Sequence, residues 1–323
     1  MYQRYSYNDY YVYLEISDCE NKGEVSGKDY VAGIYGYGGD YVRSVTACVN
    51  SVDIVGNNYV GGYIGYSANT STLNMNNNNS ITGKGYVGGI AGYTGNVQNC
   101  KNNGAINSLG TILEDGINKY CVGGIAGYCT GATNCTNNVD ITVDLAGRGV
   151  GGIAGSIYCN NAIENNTNSG KITALQSTNV GGIAGRVVFT GSRSVKTNKN
   201  EASITGASYV GGIAGIMEST RPSSYGTYTT TISDCENNGT VTATGDYAGG
   251  VAGQATGMYQ RYSYNDYYVY LEISNNVNYE KVTAGSSSTR AAIIGKAGDY
   301  VNSKNSSLWS SNNDYGEVGK IYN

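Results

Sequence analysis

The chain has 323 residues, a formal net charge of −4 and 14% charged residues. With 49 Gly, 32 Tyr, one Pro and no His, the composition excludes a disordered polyelectrolyte, a basic nucleic-acid binder and any site built on histidine. The sequence has no run of 18 apolar residues and therefore predicts no membrane span.

The first seventeen residues, MYQRYSYNDYYVYLEIS, return unchanged at 258–274. Both copies end in Ile-Ser directly before the same kind of segment, so each is interpreted as a tyrosine-rich arm inserted in a repeating unit. In the first copy, Asn8-Asp9 stands between two tyrosine-rich runs and predicts a hairpin with its two-residue turn there. A recent duplication without a special role is the alternative.

A glycine-framed motif recurs along the rest of the chain. It reads VGGIAG in five places and occurs as variants in four more, with units that start near residues 31, 60, 87, 122, 150, 180, 210, 248 and 290. A spacing of about 30 residues with occasional insertions is typical of stacked supersecondary units.

A second motif, such as NCKNNGAI at 99–106, occupies the other half of each unit. Its first column, the anchor column, holds Cys19, Cys48, Met75, Cys100, Cys135, Asn166, Asn198, Cys235, Asn276 and Asn312. Two residues later the column is Asn21, Asn50, Asn77, Asn102, Asn137, Asn168, Asn200, Asn237, Asn278 and Asp314. Six residues after the anchor, every unit carries Val or Ile, from Val25 to Val318.

These columns predict an all-β fold, a right-handed parallel β-solenoid of nine to ten rungs in a single repeat domain over residues 1–323. Stacking at the inter-strand spacing gives a rod roughly 45 Å long. Val and Ile columns fill its interior, an Asn column forms a ladder of side-chain hydrogen bonds, and Gly pairs such as Gly88-Gly89 suit close packing.

The glycine-framed core, as in Gly89-Ile90-Ala91-Gly92 and Gly124-Ile125-Ala126-Gly127, resembles the GLUG motif. Ile or Val replaces the family's Leu, Gly62-Tyr63-Ile64-Gly65 departs further, and Ala292 takes the place of the first Gly in the last copy. GLUG repeats resemble segments of large adhesin-like surface proteins that lie outside any catalytic domain. The resemblance implies a β-solenoid at the cell surface and names no ligand.

Tyrosines flank the glycine core in two columns. One precedes it at Tyr30, Tyr59, Tyr86, Tyr209 and Tyr247, and the other follows it at Tyr37, Tyr66, Tyr93 and Tyr128. A column that faces outward offers a stripe of rings for a sugar or a protein, and Tyr30, Tyr59 and Tyr86 are the predicted ligand-binding residues. Packing of one column under a loop is the alternative, and the sequence does not decide which column faces solvent.

The sequence predicts no catalytic residue, metal site or cofactor. Repeated glycine loops without helices do not fit a dinucleotide fold. The acidic residues Asp53, Asp115, Asp140, Asp144, Asp234 and Asp246 share no column. A carbohydrate-active β-helix enzyme, a polysaccharide lyase or hydrolase, is the alternative. Cysteines of the anchor column fit small buried side chains, whereas a disulfide between Cys129 and Cys159 stays open.

The predicted function is that of a structural and adhesive module at the cell surface, outside the cell. Its expected partners are a second copy of the chain or a glycan or protein of a cell surface, and not nucleic acid. Neither end of the sequence shows a polar capping helix, so head-to-tail stacking into filaments is predicted, with a monomeric fragment as the alternative. The residues predicted to clasp the neighbouring copy are Tyr2, Tyr5, Tyr7, Tyr259, Tyr262 and Tyr264.

Overall fold

The computed structural model describes residues 2–5, 8–11, 13–39, 42–108, 120–144, 146, 149–285 and 290–302. Every helix or strand within these residues is a β-strand, and nearly all strand pairs are parallel. The predicted parallel β-solenoid is therefore confirmed. No helix in the described ranges has the length and apolarity needed to cross a bilayer. The last predicted unit, with Asn312, Asp314 and Val318, lies outside the described residues.

One turn of the solenoid contains five short strands, which stack on their equivalents into five faces. In the third turn these strands are Asn76–Asn77, Ile81–Gly83, Tyr86–Gly88, Ala91–Thr94 and Asn96–Gln98, which we assign to faces A, B, C, D and E in that order. The strands are short because Gly and Asn interrupt each β-branched run and bend the chain at every corner.

The strands of the first three faces have the following bounds. Face A contains Glu20–Asn21, Val49–Asn50, Asn76–Asn77, Lys101–Asn102, Thr136–Asn137, Thr167–Asn168, Lys199–Asn200, Glu236–Asn237 and Val277–Asn278. Face B contains Val25–Ser26, Ile54–Val55, Ile81–Gly83, Ile106–Ser108, Ile141–Val143, Val241–Ala243 and Val282–Thr283. Face C contains Asp29–Ala32, Asn58–Gly61, Tyr86–Gly88, Cys121–Gly123, Gly149–Gly151, Ala248–Gly249 and Arg290–Ala291. Two long strands, Ile172–Gly181 and Ile204–Gly211, run through both B and C and join them into one sheet.

The other two faces complete the wall. Face D contains Tyr35–Tyr37, Ile64–Ser67, Ala91–Thr94, Ala126–Cys129, Ala154–Cys159, Ala184–Phe189, Ala214–Ser219, Ala252–Thr256 and Ile294–Ala297. Face E contains Leu14–Ser17, Val42–Thr46, Ser71–Leu73, Asn96–Gln98, Gly131–Thr133, Ile163–Glu164, Ser194–Lys196, Gly226–Ser233, Asn265–Ser274 and Val301–Asn302. Antiparallel strands occur at Tyr2–Tyr5 with Asn8–Tyr11, and at Met258–Tyr262 with the start of Asn265–Ser274.

The asparagine column forms the ladder that the sequence predicts. From Asn77 to Asn237 each side-chain amide donates to the Oδ1 atom of the Asn one turn further on, as in Asn102 to Asn137 at 3.1 Å and Asn137 to Asn168 at 2.9 Å. The same amide also donates to the backbone carbonyl two residues later, for example Asn137 to Val139 at 2.8 Å. The ladder residues from Asn77 to Asn278 are buried, so these hydrogen bonds satisfy polar groups that water does not reach.

A column of glycines packs against this ladder from the opposite wall. A Cβ atom on Gly124 would lie 2.4 Å from Asn137 Oδ1 and 2.2 Å from the carbonyl oxygen of Gly152. Equivalent clashes arise at Gly89, Gly152, Gly182, Gly212 and Gly250. The second glycine of the motif is therefore required because the amides occupy the space that any side chain would take.

The contact between the asparagine ladder and the glycine column divides the interior into two apolar clusters. One contains the Val and Ile side chains of faces B and C, such as Val87 and Ile106. The other lies between faces D and E and includes Ile90 and the buried anchor residues. Tyr63, which departs from the glycine motif, is 1% exposed and donates its hydroxyl to the carbonyl of Asn76 at 2.6 Å.

All eight cysteines of the chain lie within the described residues as free thiols. Cys129 pairs in register with Ile157, whereas Cys159 pairs with Phe189, so the two are not cross-strand neighbours. Burial raises the pKa of Cys129 and of Cys159 to about 12, which keeps both thiols protonated at neutral pH. The alternative of a disulfide between them is not realised.

The tyrosine-rich string forms a hairpin in both places, but its predicted turn is wrong. In the second copy Tyr262 pairs with Asn265, so the turn is Ser263-Tyr264, with φ values of 46° and 68°. In the first copy Tyr5 pairs with Asn8, which places Asn8-Asp9 in the second strand rather than in the turn. The observed register lets Asp266 accept a hydrogen bond from the hydroxyl of Tyr259 at 3.1 Å, a contact that a turn at Asn265-Asp266 would remove.

Identical residues of the two copies differ in burial. Leu271 is fully buried because its strand pairs with Gly226–Ser233 on one side and with Val301 on the other. Its counterpart Leu14 is 51% exposed and pairs with Val42 on one side. Much of the second copy is therefore a strand of the solenoid wall rather than a projecting arm.

Removing one amide from the ladder tests its contribution to stability. Asn137→Ala deletes three hydrogen bonds and leaves the buried amides of Asn102 and Asn168 and the partly buried carbonyl of Val139 without this partner. We expect the free energy of unfolding to fall by about 3 kcal/mol, measured by urea denaturation and circular dichroism.

The neighbouring Asn138 provides a matched control, since its exposed amide makes a similar rung-to-rung bond to Asn103 at 2.7 Å. Asn138→Ala should change stability by less than about 0.5 kcal/mol. Equal losses in the two variants would mean that burial of the ladder does not determine its contribution.

Candidate functional site: a tyrosine ladder with a gap

The two tyrosine columns lie side by side at one corner of the solenoid, the first near the start of the face C strands and the second near the end of the face D strands. The backbone turns there through left-handed residues, with φ of 58° at Tyr30 and 54° at Tyr59. The last glycine of the motif packs against this turn, so a Cβ on Gly65 would lie 2.7 Å from the carbonyl carbon of Tyr30. Left-handed tyrosines cost about 1–3 kcal/mol each and persist where the surrounding structure holds them.

The rings of each column stack on one another. In the first column the ring centroids of Tyr30 and Tyr59 are 5.0 Å apart, and those of Tyr59 and Tyr86 are 4.9 Å apart. The second column stacks in the same way from Tyr37 to Tyr128, where the closest pair, Tyr93–Tyr128, is 4.2 Å apart. We call the two columns together the tyrosine ladder.

The two columns also pack against each other edge to face. Tyr59 and Tyr66 are 5.3 Å apart with an interplanar angle of 88°. Both columns therefore lie on the outside of the solenoid, and their rings pack against each other rather than under a loop. Of the predicted binding residues, Tyr59 is stacked between Tyr30 and Tyr86, whereas Tyr30, the first ring of the column, has one stacked neighbour.

Both columns of the tyrosine ladder are interrupted, the first after Tyr86 and the second after Tyr128. The positions that follow Tyr86 are Cys121 and Gly149, and those that follow Tyr128 are Ser156 and Arg186. Small side chains on two successive turns leave a depression of about 520 Å³. Its lining includes Tyr86, Tyr128, Ser156, Tyr158, Asn179, Arg186 and Glu218. Stacked tyrosines resume beyond it with Tyr209 and Tyr247, 5.1 Å apart.

An ion pair forms the wall of this depression opposite the tyrosines. Arg186 Nη2 lies 2.5 Å from Glu218 Oε1, and Arg186 Nε donates to the same oxygen. Both side chains are about one-third exposed, at 34% and 36%, so their polar atoms also face the depression. The pair leaves this site close to neutral while it presents several hydrogen-bond donors and acceptors.

Burial controls the protonation of the groups around the gap. It raises the pKa of Tyr86 and of Tyr128 above the usual value, because the charged phenolate is poorly solvated there. Burial also raises the pKa of the Cys121 thiol to about 12. The tyrosine hydroxyls near the gap therefore remain protonated and can donate hydrogen bonds at neutral pH.

Two of the acidic residues considered from the sequence accept hydrogen bonds from backbone amides of the next turn of the solenoid. Asp53 accepts a hydrogen bond from the backbone amide of Ser80, and Asp140 accepts one from Lys171, each at 2.8 Å. Asp115 lies outside the described residues. In the part of the chain that the structure describes, no three Cys, Asp or Glu side chains are grouped so that they could hold a metal ion.

The tyrosines of the predicted assembly arms lie on the two hairpins. Tyr259, Tyr262 and Tyr264 are 41%, 56% and 94% exposed. Tyr2 and Tyr5 belong to the first hairpin strand, and Tyr7 lies outside the described residues. Their role in self-association stays a prediction.

Sequence reasoning missed Tyr158, Arg186 and Glu218. The available signal was the break in the two tyrosine columns at neighbouring turns, where Cys121 and Gly149 follow Tyr86 in the first column and Ser156 follows Tyr128 in the second. Comparison with protein-family models, curated proteins and solved structures finds no match to this chain.

The raised tyrosine pKa values predict a stability that declines at alkaline pH. Above about pH 10 the unfolded chain releases these protons while the folded chain retains them, so unfolding becomes easier as pH rises. The double variant Tyr86→Phe/Tyr128→Phe lacks these two groups and should lose stability less steeply than the wild type. Urea midpoints between about pH 9 and 12 measure this, with Tyr225→Phe, which changes a ring that is 68% exposed, as control. Parallel curves for all three proteins would contradict it.

Proposed function

We propose that this chain is a non-catalytic structural and adhesive module of an extracellular surface protein, and that the gap in its tyrosine ladder binds a glycan. The observation that carries the proposal is the gap itself, where aromatic rings and a neutral set of polar groups converge on one depression. The resemblance of the glycine-framed core to GLUG repeats supports a location at the cell surface.

The shape and lining of the depression fit one or two sugar rings. Its volume of about 520 Å³ lies in the range of small-ligand sites, which combine apolar surface with a few convergent polar groups. Tyr128 stacks on Tyr93 on one side, while the next position in its column is the small Ser156. The apolar face of a pyranose can therefore stack on Tyr128 while its hydroxyls reach Arg186, Glu218 and Asn179.

The wall that carries these groups supports binding because it is rigid before the ligand arrives. Arg186 and Glu218 lie on adjacent strands of face D, Ala184–Phe189 and Ala214–Ser219, paired over five residues in register. Tyr86 and Tyr128 are held by the stacked rings beneath them. Groups fixed in place lose little entropy on binding, which favours affinity.

The charges of the depression favour recognition over hydrolysis. Glycoside hydrolases generally use two carboxylates on either side of the scissile bond. Among the described residues that line the depression, Glu218 is the only acidic one, and it is paired with Arg186. A single neutralised carboxylate fits a hydrogen-bonding role.

A ring deletion at the gap tests the proposal. A glycan array probed with the wild-type protein identifies the ligand, and isothermal titration calorimetry then compares variants. Tyr128→Ala should weaken binding about tenfold or more, since it removes the stacking ring at the gap. Tyr37→Ala is the matched control, because it removes a ring of the same column at the far end of the ladder and should change affinity less than about twofold.

A second variant fills the gap instead of opening it. Ser156→Tyr should continue the ring column into the depression and abolish binding while circular dichroism stays unchanged. Absence of binding to any arrayed glycan by the wild-type protein, or equal effects of Tyr128→Ala and Tyr37→Ala, would overturn the proposal.

A further inference from the structure

A second depression adjoins the first one on the same side of the solenoid. It has a volume of about 470 Å³, and its lining includes Tyr158, Thr190, Arg193, Arg221, Tyr262 and Tyr267. Tyr158 lines both depressions, so the two lie side by side, and we call them together the groove. This second depression is not explained by the tyrosine ladder, because its residues lie beyond the corner where the ladder stacks.

The electrostatic character of the second depression differs from that of the first. The charged side chains among its described lining residues are Arg193 and Arg221, and neither is ion-paired with a carboxylate in the described part of the chain. In the first depression, by contrast, Glu218 neutralises Arg186. One groove therefore has a neutral end and a positive end.

Both arginines are held in place without a counter-ion. Arg193 donates from Nε to the carbonyl of Cys159 and from Nη1 to the carbonyl of Ser192, each at 2.8 Å. The guanidinium carbon of Arg221 lies 4.7 Å from the ring centroid of Tyr262 and 5.7 Å from that of Tyr267. Carbonyl groups and aromatic faces orient a guanidinium while they leave its full charge available to an anion.

The positions of these residues follow from two insertions in the repeat. Arg221 precedes the buried Pro222 in the loop between strands Ala214–Ser219 and Gly226–Ser233. Tyr262 and Tyr267 belong to the second copy of the seventeen-residue string, in the two strands of its hairpin. That copy therefore supplies the aromatic support of the positive end of the groove.

We propose that this positive end binds an anionic group, a carboxylate or a sulfate ester, on the same glycan whose neighbouring sugar occupies the gap in the tyrosine ladder. The inference rests on the proposed function and specifies its ligand as an acidic oligosaccharide. Arginine is suited to this role because its planar fork of donors matches carboxylate and sulfate oxygens. The neutral end then recognises hydroxyls, and the positive end selects for charge.

Matched pairs of oligosaccharides test this inference by isothermal titration calorimetry with the full chain. The first pair is an oligogalacturonate and its methyl ester, and the second is a sulfated galactan oligosaccharide and its desulfated form. The wild type should prefer at least one acidic member about tenfold or more over its neutral partner, and this preference should shrink as salt concentration rises. The pair that shows the preference identifies carboxylate or sulfate as the anion.

Variants of the protein show which residues produce the preference for the acidic oligosaccharide. Arg193→Ala/Arg221→Ala should remove it while affinity for the neutral partner changes less than about twofold, whereas Tyr128→Ala should weaken both members of a pair. Arg221→Lys retains the charge and should retain part of the preference. Arg43→Ala is the matched control, because Arg43 also lies over a tyrosine, 4.9 Å from the ring of Tyr13, at another place on the surface.

The outcomes separate the two proposals. If the wild type binds neutral and acidic members equally, or if Arg193→Ala/Arg221→Ala keeps the preference while its circular dichroism is native, this inference is wrong and glycan binding at the gap stands. If none of these four oligosaccharides binds to the wild type, this inference is wrong, and glycan binding at the gap is wrong as well only if no glycan of the array binds. If the double arginine variant fails to fold, Arg193→Gln and Arg221→Gln examined singly must each reduce the preference for the inference to hold.

Discussion

The contact between the buried asparagine amides and the glycine column determines how the turns of this solenoid stack. Every amide in the middle of the ladder takes part in three hydrogen bonds. It donates to the Asn of the next turn and to a backbone carbonyl of its own turn, and it accepts from the Asn of the turn before. A shift by one residue would place Asn side chains outside and leave carbonyls unpaired in an apolar interior, at about 1–3 kcal/mol for each group. The ladder therefore fixes the register of all five faces.

The same register aligns side chains on the surface, at the corner where the tyrosines stack. Because each turn adds its residue directly above the last one, a column of Tyr becomes a stack of rings and a column of small residues becomes a depression. The depression is thus made by substitution within a repeating frame, without any change in backbone path. The left-handed turns at Tyr30 and Tyr59 persist because the glycine motif packs against them.

Much of this could be predicted from the sequence, since a repeat of about 30 residues shows which side chains stack. The parallel coil, the asparagine ladder and the buried anchor positions from Cys48 to Asn276 follow from that period, although Cys19, the first anchor, is exposed. The hairpin turn was mistaken, because Asn-Asp is a frequent turn pair, while the observed Ser263-Tyr264 turn is favoured by strand contacts of Asp266 and by burial of Val269 and Leu271. The meeting of both tyrosine columns at one corner, and of Arg186 with Glu218, depends on how a turn bends, which residue spacing does not reveal.

The direction of the hydrogen bonds has a mechanical consequence. The bonds of the asparagine ladder and of all five faces join one turn to the next, so they run along the axis of the coil. Tension applied between the two ends would load one interface at a time and peel the turns away in sequence. Each released turn of about 30 residues would add about 100 Å of extended chain. A solenoid of this kind therefore yields in steps and lengthens under force.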